Sequence, residues 1–128
     1  MAGTGLLLSD DLLFNSRIIG TARSLGLDVR SAKDTASLQR LAGDQPPSCI
    51  IIDLANPGLN IVELMAWLRE HCKPLPRIVA YGSHVDTATL KTARQAGCDP
   101  VLPRSKFVED LLSELPKWCQ SSPLTTDR

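Results

Sequence analysis

Short apolar runs alternate with longer amphipathic stretches along the chain, and turn residues separate them. Five of the short runs predict strands: Leu6–Leu8, Leu27–Arg30, Cys49–Ile52, Ile78–Tyr81 and Val101–Leu102. The run at Cys49–Ile52 is apolar at every position, as is typical of a central parallel strand that is buried on both faces. The run at Leu27–Arg30 has only two apolar residues and predicts a weak strand.

Apolar residues at helical spacing follow each predicted strand, so five helices are expected. Gly26 marks the end of the first helix, and Asp34 the start of the second, which Gly43 and the Pro46-Pro47 pair close. Asn60 marks the start of the third helix and Gly97 the end of the fourth. The fifth helix begins at about Ser105, and Pro116 kinks or ends it. Strands joined by helices lie parallel, so this alternation predicts an α/β fold with one parallel sheet and helices on both faces. We expect one domain over residues 1–120, with Trp118 packed on its body, and a disordered tail over 121–128.

Composition narrows the function classes. The 14 basic and 14 acidic residues cancel, so the domain offers no basic surface for nucleic acid or for an anionic membrane. No apolar run is long enough to span a bilayer, and the amino-terminal residues lack the pattern of a signal peptide, so we expect a cytoplasmic protein. The four cysteines have no metal-binding or redox spacing and are interpreted as reduced packing residues.

Polar residues that follow the predicted strands are the candidate site, because ligands of open parallel sheets bind at the carboxyl ends of the strands. They are Ser9, Asp10 and Asp11 after the first strand, Asp53 after the third, Gly82 and Ser83 after the fourth, and Arg104 after the fifth. Carboxylates at neighbouring strand ends favour Mg²⁺, which prefers oxygen ligands. A cation at the fifth strand end would offset the repulsion between those carboxylates.

The segments LLLSDD, IIIDLANPG, IVAYGS and AGCDPVLPRS, in this order, resemble the receiver domain of bacterial response regulators over Leu6 to Leu115. The resemblance implies a flavodoxin-like, doubly wound sheet of five strands in the order 2-1-3-4-5. It also implies phosphorelay signalling, in which Asp53 accepts a phosphoryl group from a histidine kinase or phosphotransfer protein. Asp10, Asp53 and the backbone carbonyl of Ala55 would hold Mg²⁺, with Asp11 as a further ligand if its loop turns inward.

Three residues of the candidate site depart from the receiver pattern that the resemblance implies, and Ile61, Val101 and Ser105 depart from it elsewhere. Ser9 stands where an acidic residue is usual, Gly82 where Thr or Ser is usual, and Arg104 where Lys is usual. Ser83 is the candidate to replace the missing hydroxyl. Arg104 can bind phosphate but is not equivalent to Lys, and it can equally form a plain ion pair that closes the pocket.

These departures leave a second hypothesis open: a pseudo-receiver that binds proteins, or a second copy of itself, without phosphorylation. The partner face implied by the resemblance comprises the fourth helix, fifth strand and fifth helix, with Lys91, Arg94, Asp99 and Lys106. An enzyme or cofactor carrier on the same fold is a third hypothesis. The chain has no Gly-rich phosphate loop and no nucleophile–base pair, so no enzymatic activity is expected. Tyr81 is interpreted as a packing residue, and replacement of the switch aromatic that is common in receiver domains is the alternative.

Overall fold

The computed structural model describes residues 4–120, which form five strands and five helices in strict alternation. The strands are β1 (Thr4–Leu8), β2 (Asp28–Ala32), β3 (Cys49–Asp53), β4 (Arg77–Gly82) and β5 (Val101–Pro103). The helices are α1 (Leu12–Ser24), α2 (Thr35–Asp44), α3 (Ile61–His71), α4 (Thr87–Ala96) and α5 (Arg104–Trp118). All strands pair in parallel in one sheet, in the order β2-β1-β3-β4-β5. The predicted fold class and strand order are therefore confirmed.

The central strand β3 separates two apolar layers. Ile50 and Ile52 face the layer that includes residues of α2, α3 and α4, whereas Cys49 and Ile51 face the layer that includes residues of α1 and α5. Every residue of β3 is buried, which confirms the prediction of a strand covered on both faces. Because side chains alternate along a strand, Asp53 at the end of β3 belongs to the α1 and α5 side of the sheet.

A row of aromatic rings fills the core on that side. The ring centroids are 5.1 Å apart for Phe14 and Tyr81, 4.6 Å for Tyr81 and Phe107, and 5.7 Å for Phe107 and Trp118. Tyr81 is fully buried, which confirms its interpretation as a packing residue. The row joins α1, β4 and α5 into one packed unit.

Side-chain caps fix the starts of four helices. As predicted, Asp34 accepts a hydrogen bond from the Ser37 N–H at 2.8 Å, and Asn60 accepts one from the Glu63 N–H at 3.1 Å. Asp11 and Asp86 cap α1 and α4 in the same way. Gly97 has φ of +109° and ends α4, as its position in the sequence predicts.

The structure corrects two predicted boundaries, those of β2 and of the end of α5. β2 covers Asp28–Ala32 rather than Leu27–Arg30, because its pairing with β1 continues to Leu8 and Ala32. α2 ends at Asp44, between Gly43 and the Pro46-Pro47 pair, as predicted. Pro116 does not end α5: the helix reaches Trp118, whose burial against the Phe107 ring keeps the last turn helical despite the missing backbone donor.

Trp118 packs on the body as expected. The predicted tail over 121–128 lies outside the described residues. Within residues 4–120, no helix is long and apolar enough to cross a membrane.

Candidate functional site

The carboxylate of Asp53 lies at the carboxyl edge of the sheet and is almost completely buried. Ser9 Oγ donates a hydrogen bond to Asp53 Oδ2 at 3.1 Å, and the Ala55 N–H donates one to Oδ1 at 2.9 Å. Only 5% of the Asp53 side chain is exposed. Both carboxylate oxygens are therefore engaged by neighbouring donors, as a buried charge requires.

Arg104, the first residue of α5, supplies the positive charge at this site. Its Nη2 lies 3.8 Å from Asp53 Oδ1, and 44% of its side chain is exposed. The guanidinium also lies over two rings, 5.1 Å from the Phe14 centroid and 5.8 Å from the Tyr81 centroid. Attraction to both ring faces orients the guanidinium towards Asp53. The ends of β3 and β5 are thus joined by an ion pair.

The hydroxyl of Ser9 is oriented by its own loop. Ser9 Oγ accepts a hydrogen bond from the Asp11 N–H at 3.1 Å, so its own proton is directed to Asp53. The Ser9 carbonyl accepts a bond from Asn15 Nδ2 at 2.8 Å, and Ser9 is itself buried. A neutral donor therefore faces Asp53 at the position where the resemblance implies an acidic residue.

The two acidic residues after Ser9 serve different purposes. The Asp11 carboxylate accepts a hydrogen bond from the Phe14 N–H at 3.1 Å and caps α1. The Asp10 side chain is exposed, while its N–H donates to Asn56 Oδ1 at 2.8 Å.

Among residues 4–120, no group of three or more His, Cys, Asp or Glu residues could hold a metal ion. Asp53, the buried carboxylate among the expected magnesium ligands, faces the Arg104 guanidinium and two hydrogen-bond donors.

Gly82 ends β4, and Ser83 directly follows it. A Cβ on Gly82 would lie 3.4 Å from Leu54 Cβ and from Leu90 Cδ2, so apolar side chains already surround that space. Ser83 is exposed, and its Oγ accepts a hydrogen bond from the Val85 N–H at 3.3 Å. The Ser83 hydroxyl therefore stabilises the turn before α4.

Two asparagines, Asn56 and Asn15, support the site and were not singled out from the sequence. Asn56 is buried and joins two loops: its Oδ1 accepts from the Asp10 N–H, and its Nδ2 donates to the Lys33 carbonyl at 3.1 Å. The signal that points to Asn56 is its place before Pro57-Gly58, where an Asn side chain commonly bonds to nearby backbone. No comparable signal marks Asn15, which lies inside α1.

Tyr81 brings a second polar group close to Asp53. Its hydroxyl is buried and has no hydrogen-bond partner among the described residues. Burial raises the pKa of Tyr81 above its ordinary value, and the negative charge of Asp53 raises it further. Tyr81 therefore stays neutral and contributes a hydroxyl dipole, with no charge of its own.

The four residues of the implied partner face are all exposed: Lys91, Arg94, Asp99 and Lys106. Arg94 donates to the Val101 carbonyl at 3.4 Å, and Lys106 forms an ion pair with Asp110 at 3.2 Å. Two of the four charged side chains on this face, Arg94 and Lys106, therefore form contacts within the domain.

No protein-family model and no curated protein matches the chain. Solved structures do match it. The receiver domain of NtrX from Brucella abortus has a TM-score of 0.78 at 19% identity, covering 92% of this chain and 99% of that one. The receiver domain of the Francisella response regulator 1452 has a TM-score of 0.75 at 19% identity, covering 91% and 95%. This chain spans 26% of the longer NtrX chain from Brucella abortus that was solved in complex with ADP. The chain therefore shares the fold of response regulator receiver domains.

Proposed function

We propose that this chain, which has the fold of response regulator receiver domains, is a signal-transduction module that acts through protein contacts while Asp53 stays in an internal ion pair. One observation carries this proposal: Arg104, Ser9 and the Ala55 N–H converge on the same buried carboxylate. The proposal is the pseudo-receiver hypothesis that the departures at Ser9, Gly82 and Arg104 left open.

The physical argument concerns what phosphoryl transfer to Asp53 would require. A carboxylate oxygen must be free to attack phosphorus, and positive charge must neutralise the transferring oxygens. Here Oδ2 accepts from Ser9, Oδ1 accepts from Ala55, and the guanidinium of Arg104 faces Oδ1. Ser9 adds no negative charge that would attract a divalent cation. These contacts favour a resting ion pair over a phosphoryl acceptor.

The competing hypothesis is an ordinary receiver that a histidine kinase phosphorylates at Asp53 with Mg²⁺. Two observations favour it. Asp53 lies at the carboxyl end of the central strand, and the exposed carboxyl group of Asp10 belongs to the adjoining loop. In that case Asp10, Asp53 and the Ala55 carbonyl would hold Mg²⁺, and Arg104 would turn from Asp53 to the phosphoryl group.

Incubation with acetyl phosphate and Mg²⁺, followed by intact-mass measurement, separates the two hypotheses. We expect the wild-type chain to gain no phosphoryl group, with or without Mg²⁺. The triple variant Ser9→Asp/Gly82→Thr/Arg104→Lys is the matched control, because it restores the groups that the receiver pattern implies. The proposal is wrong if the wild-type chain gains a phosphoryl mass that Asp53→Asn abolishes.

The face formed by α4, β5 and α5 is our proposed contact surface for an output partner or a second copy. Its exposed charges are of both signs, which suits a partner of mixed charge rather than a polyanion. Sedimentation velocity of the wild-type chain and of Lys91→Glu/Lys106→Glu tests self-association. A concentration-dependent dimer that the double variant loses would favour a second copy. A wild-type monomer at all concentrations would leave the output partner as the proposed occupant.

A further inference from the structure

Two cysteines meet at the edge of the sheet opposite to Asp53. Cys49 is the first residue of β3, and Cys119 directly follows α5. They lie 70 residues apart in the chain, yet their sulfur atoms are 2.7 Å apart. A disulfide bond is about 2.05 Å long, so bond formation requires the sulfurs to approach by less than about 1 Å. Both thiols are free and buried.

The surrounding residues hold this pair in place. Ser48 Oγ donates a hydrogen bond to the Cys119 carbonyl at 3.2 Å, which fixes the end of α5 against the start of β3. Gly5 on β1 leaves room for both sulfurs, since a Cβ there would lie 3.1 Å from Cys49 Sγ and 3.4 Å from Cys119 Sγ. Cys72 and Cys98, the other two cysteines, belong to the apolar layer on the opposite face of the sheet.

We infer that Cys49 and Cys119 form a reversible disulfide when a low-molecular-weight disulfide such as oxidised glutathione is present, making the pair a redox modification site. The Cys119 thiolate attacks one sulfur of the small disulfide, whose S–S bond breaks and releases one thiolate. The Cys49 thiolate then attacks the Cys119 sulfur of the mixed disulfide and releases the second. The protein loses two electrons and two protons, and the small disulfide gains them as two thiols.

The order of attack follows from the positions of the two thiols. Cys49 is the first residue of the central strand, whereas Cys119 lies at a helix end, where local opening exposes groups that the average structure buries. Cys119 is therefore the first nucleophile. A hydrogen bond between the two sulfurs, in which either thiol can donate, holds them together until the helix end opens. We expect the rate of this opening to limit the rate of oxidation.

The bond would join the end of the last helix to the start of the central strand. It closes a long loop of chain, so it restricts the unfolded state strongly. For a domain of this size, a typical disulfide corresponds to a rise in Tm of about 10 °C. Oxidation would therefore fix the position from which the chain continues beyond α5.

The test uses the full chain incubated with oxidised glutathione and then denatured for thiol titration. We expect the four reactive thiols to fall to two, an intact mass lower by two hydrogen atoms, and a peptide map that links Cys49 to Cys119. Dithiothreitol should restore all four thiols and reverse the rise in Tm. The variant Cys72→Ala/Cys98→Ala keeps only Cys49 and Cys119, and it should form the same disulfide as the wild-type chain.

Cys119→Ser and Cys49→Ala are the matched disruptive variants, and neither should lose thiols to an internal bond. Each variant is first checked for cooperative urea unfolding, so that a failure to fold is not read as a failure to oxidise. The inference is overturned if Cys72→Ala/Cys98→Ala retains both of its thiols under conditions that oxidise free dithiothreitol. It is also overturned if the wild-type bond involves Cys72 or Cys98, or joins two chains.

Discussion

The ion pair between Arg104 and Asp53 can be tested by a double-mutant cycle. Arg104→Met removes the positive charge and keeps an unbranched stem of similar length, and Asp53→Asn removes the negative charge at nearly constant volume. At a separation of 3.8 Å, two unit charges attract by about 1 kcal/mol in water and about 4 kcal/mol at the effective dielectric constant of a protein surface. Arg104 is 44% exposed, which favours the lower part of this interval, so we expect a coupling energy of about 1–2 kcal/mol.

The single substitutions should differ from one another. Arg104→Met also loses the contact with the rings of Phe14 and Tyr81, which adds about 0.5–1 kcal/mol to its cost. That contribution is present whether or not Asp53 is charged, so it cancels in the cycle. The free energy of unfolding of all four proteins is measured by equilibrium urea unfolding at low ionic strength. A coupling energy below about 0.3 kcal/mol, the usual additivity of independent sites, would refute the interpretation of a resting ion pair.

Three further substitutions test features of the fold. Gly97→Ala should lower the free energy of unfolding by about 1–2 kcal/mol, because φ of +109° disfavours a side chain; an unchanged urea midpoint would contradict this. Asn60→Ala should cost about 1 kcal/mol, since the Glu63 N–H at the start of α3 loses its cap, and Asn60→Asp should retain most of the stability. The hydrogen bond from Ser37 lowers the pKa of Asp34 below 3.8, so its contribution is present above pH 3.8 and is lost as the pH falls below that value. Urea midpoints from pH 2 to 6 should therefore fall more steeply for the wild-type chain than for Asp34→Asn, and parallel curves would exclude this contribution.

Local signals in the sequence were sufficient for the alternating strands and helices, whereas the order of the strands followed from the resemblance to receiver domains. The apolar run at Cys49–Ile52 predicts a buried central strand because every position is covered, and Asn60 and Gly97 mark helix ends by their own chemistry. The errors occur where distant contacts override a local signal. Pro116 usually ends a helix, but the contact of Trp118 with Phe107 maintains the last turn of α5. Ala32 continues β2 because it pairs with Leu8, which the residues near it in sequence do not indicate.

The candidate site was only partly predictable for the same reason. The order of strand ends places Asp53 and Arg104 at one edge, but it leaves open whether the two groups bind each other. The bond from Ser9 to Asp53 spans 44 residues, and the approach of Cys49 to Cys119 spans 70. Both depend on the register between strands and on the packing of α5, which sequence spacing does not give. The role of Asn56 likewise depends on three loops meeting at one point.

The row of rings from Phe14 to Trp118 has a consequence for optical measurements. Rings fixed at defined angles in a packed core give a near-ultraviolet circular dichroism signal, which disappears when specific packing is lost although helices persist. Phe14 lies beneath Arg104 at one end of the row, and Trp118 adjoins Cys119 in the chain at the other. A single spectrum therefore reports on the order of both ends of the sheet, separately from the far-ultraviolet signal of the helices.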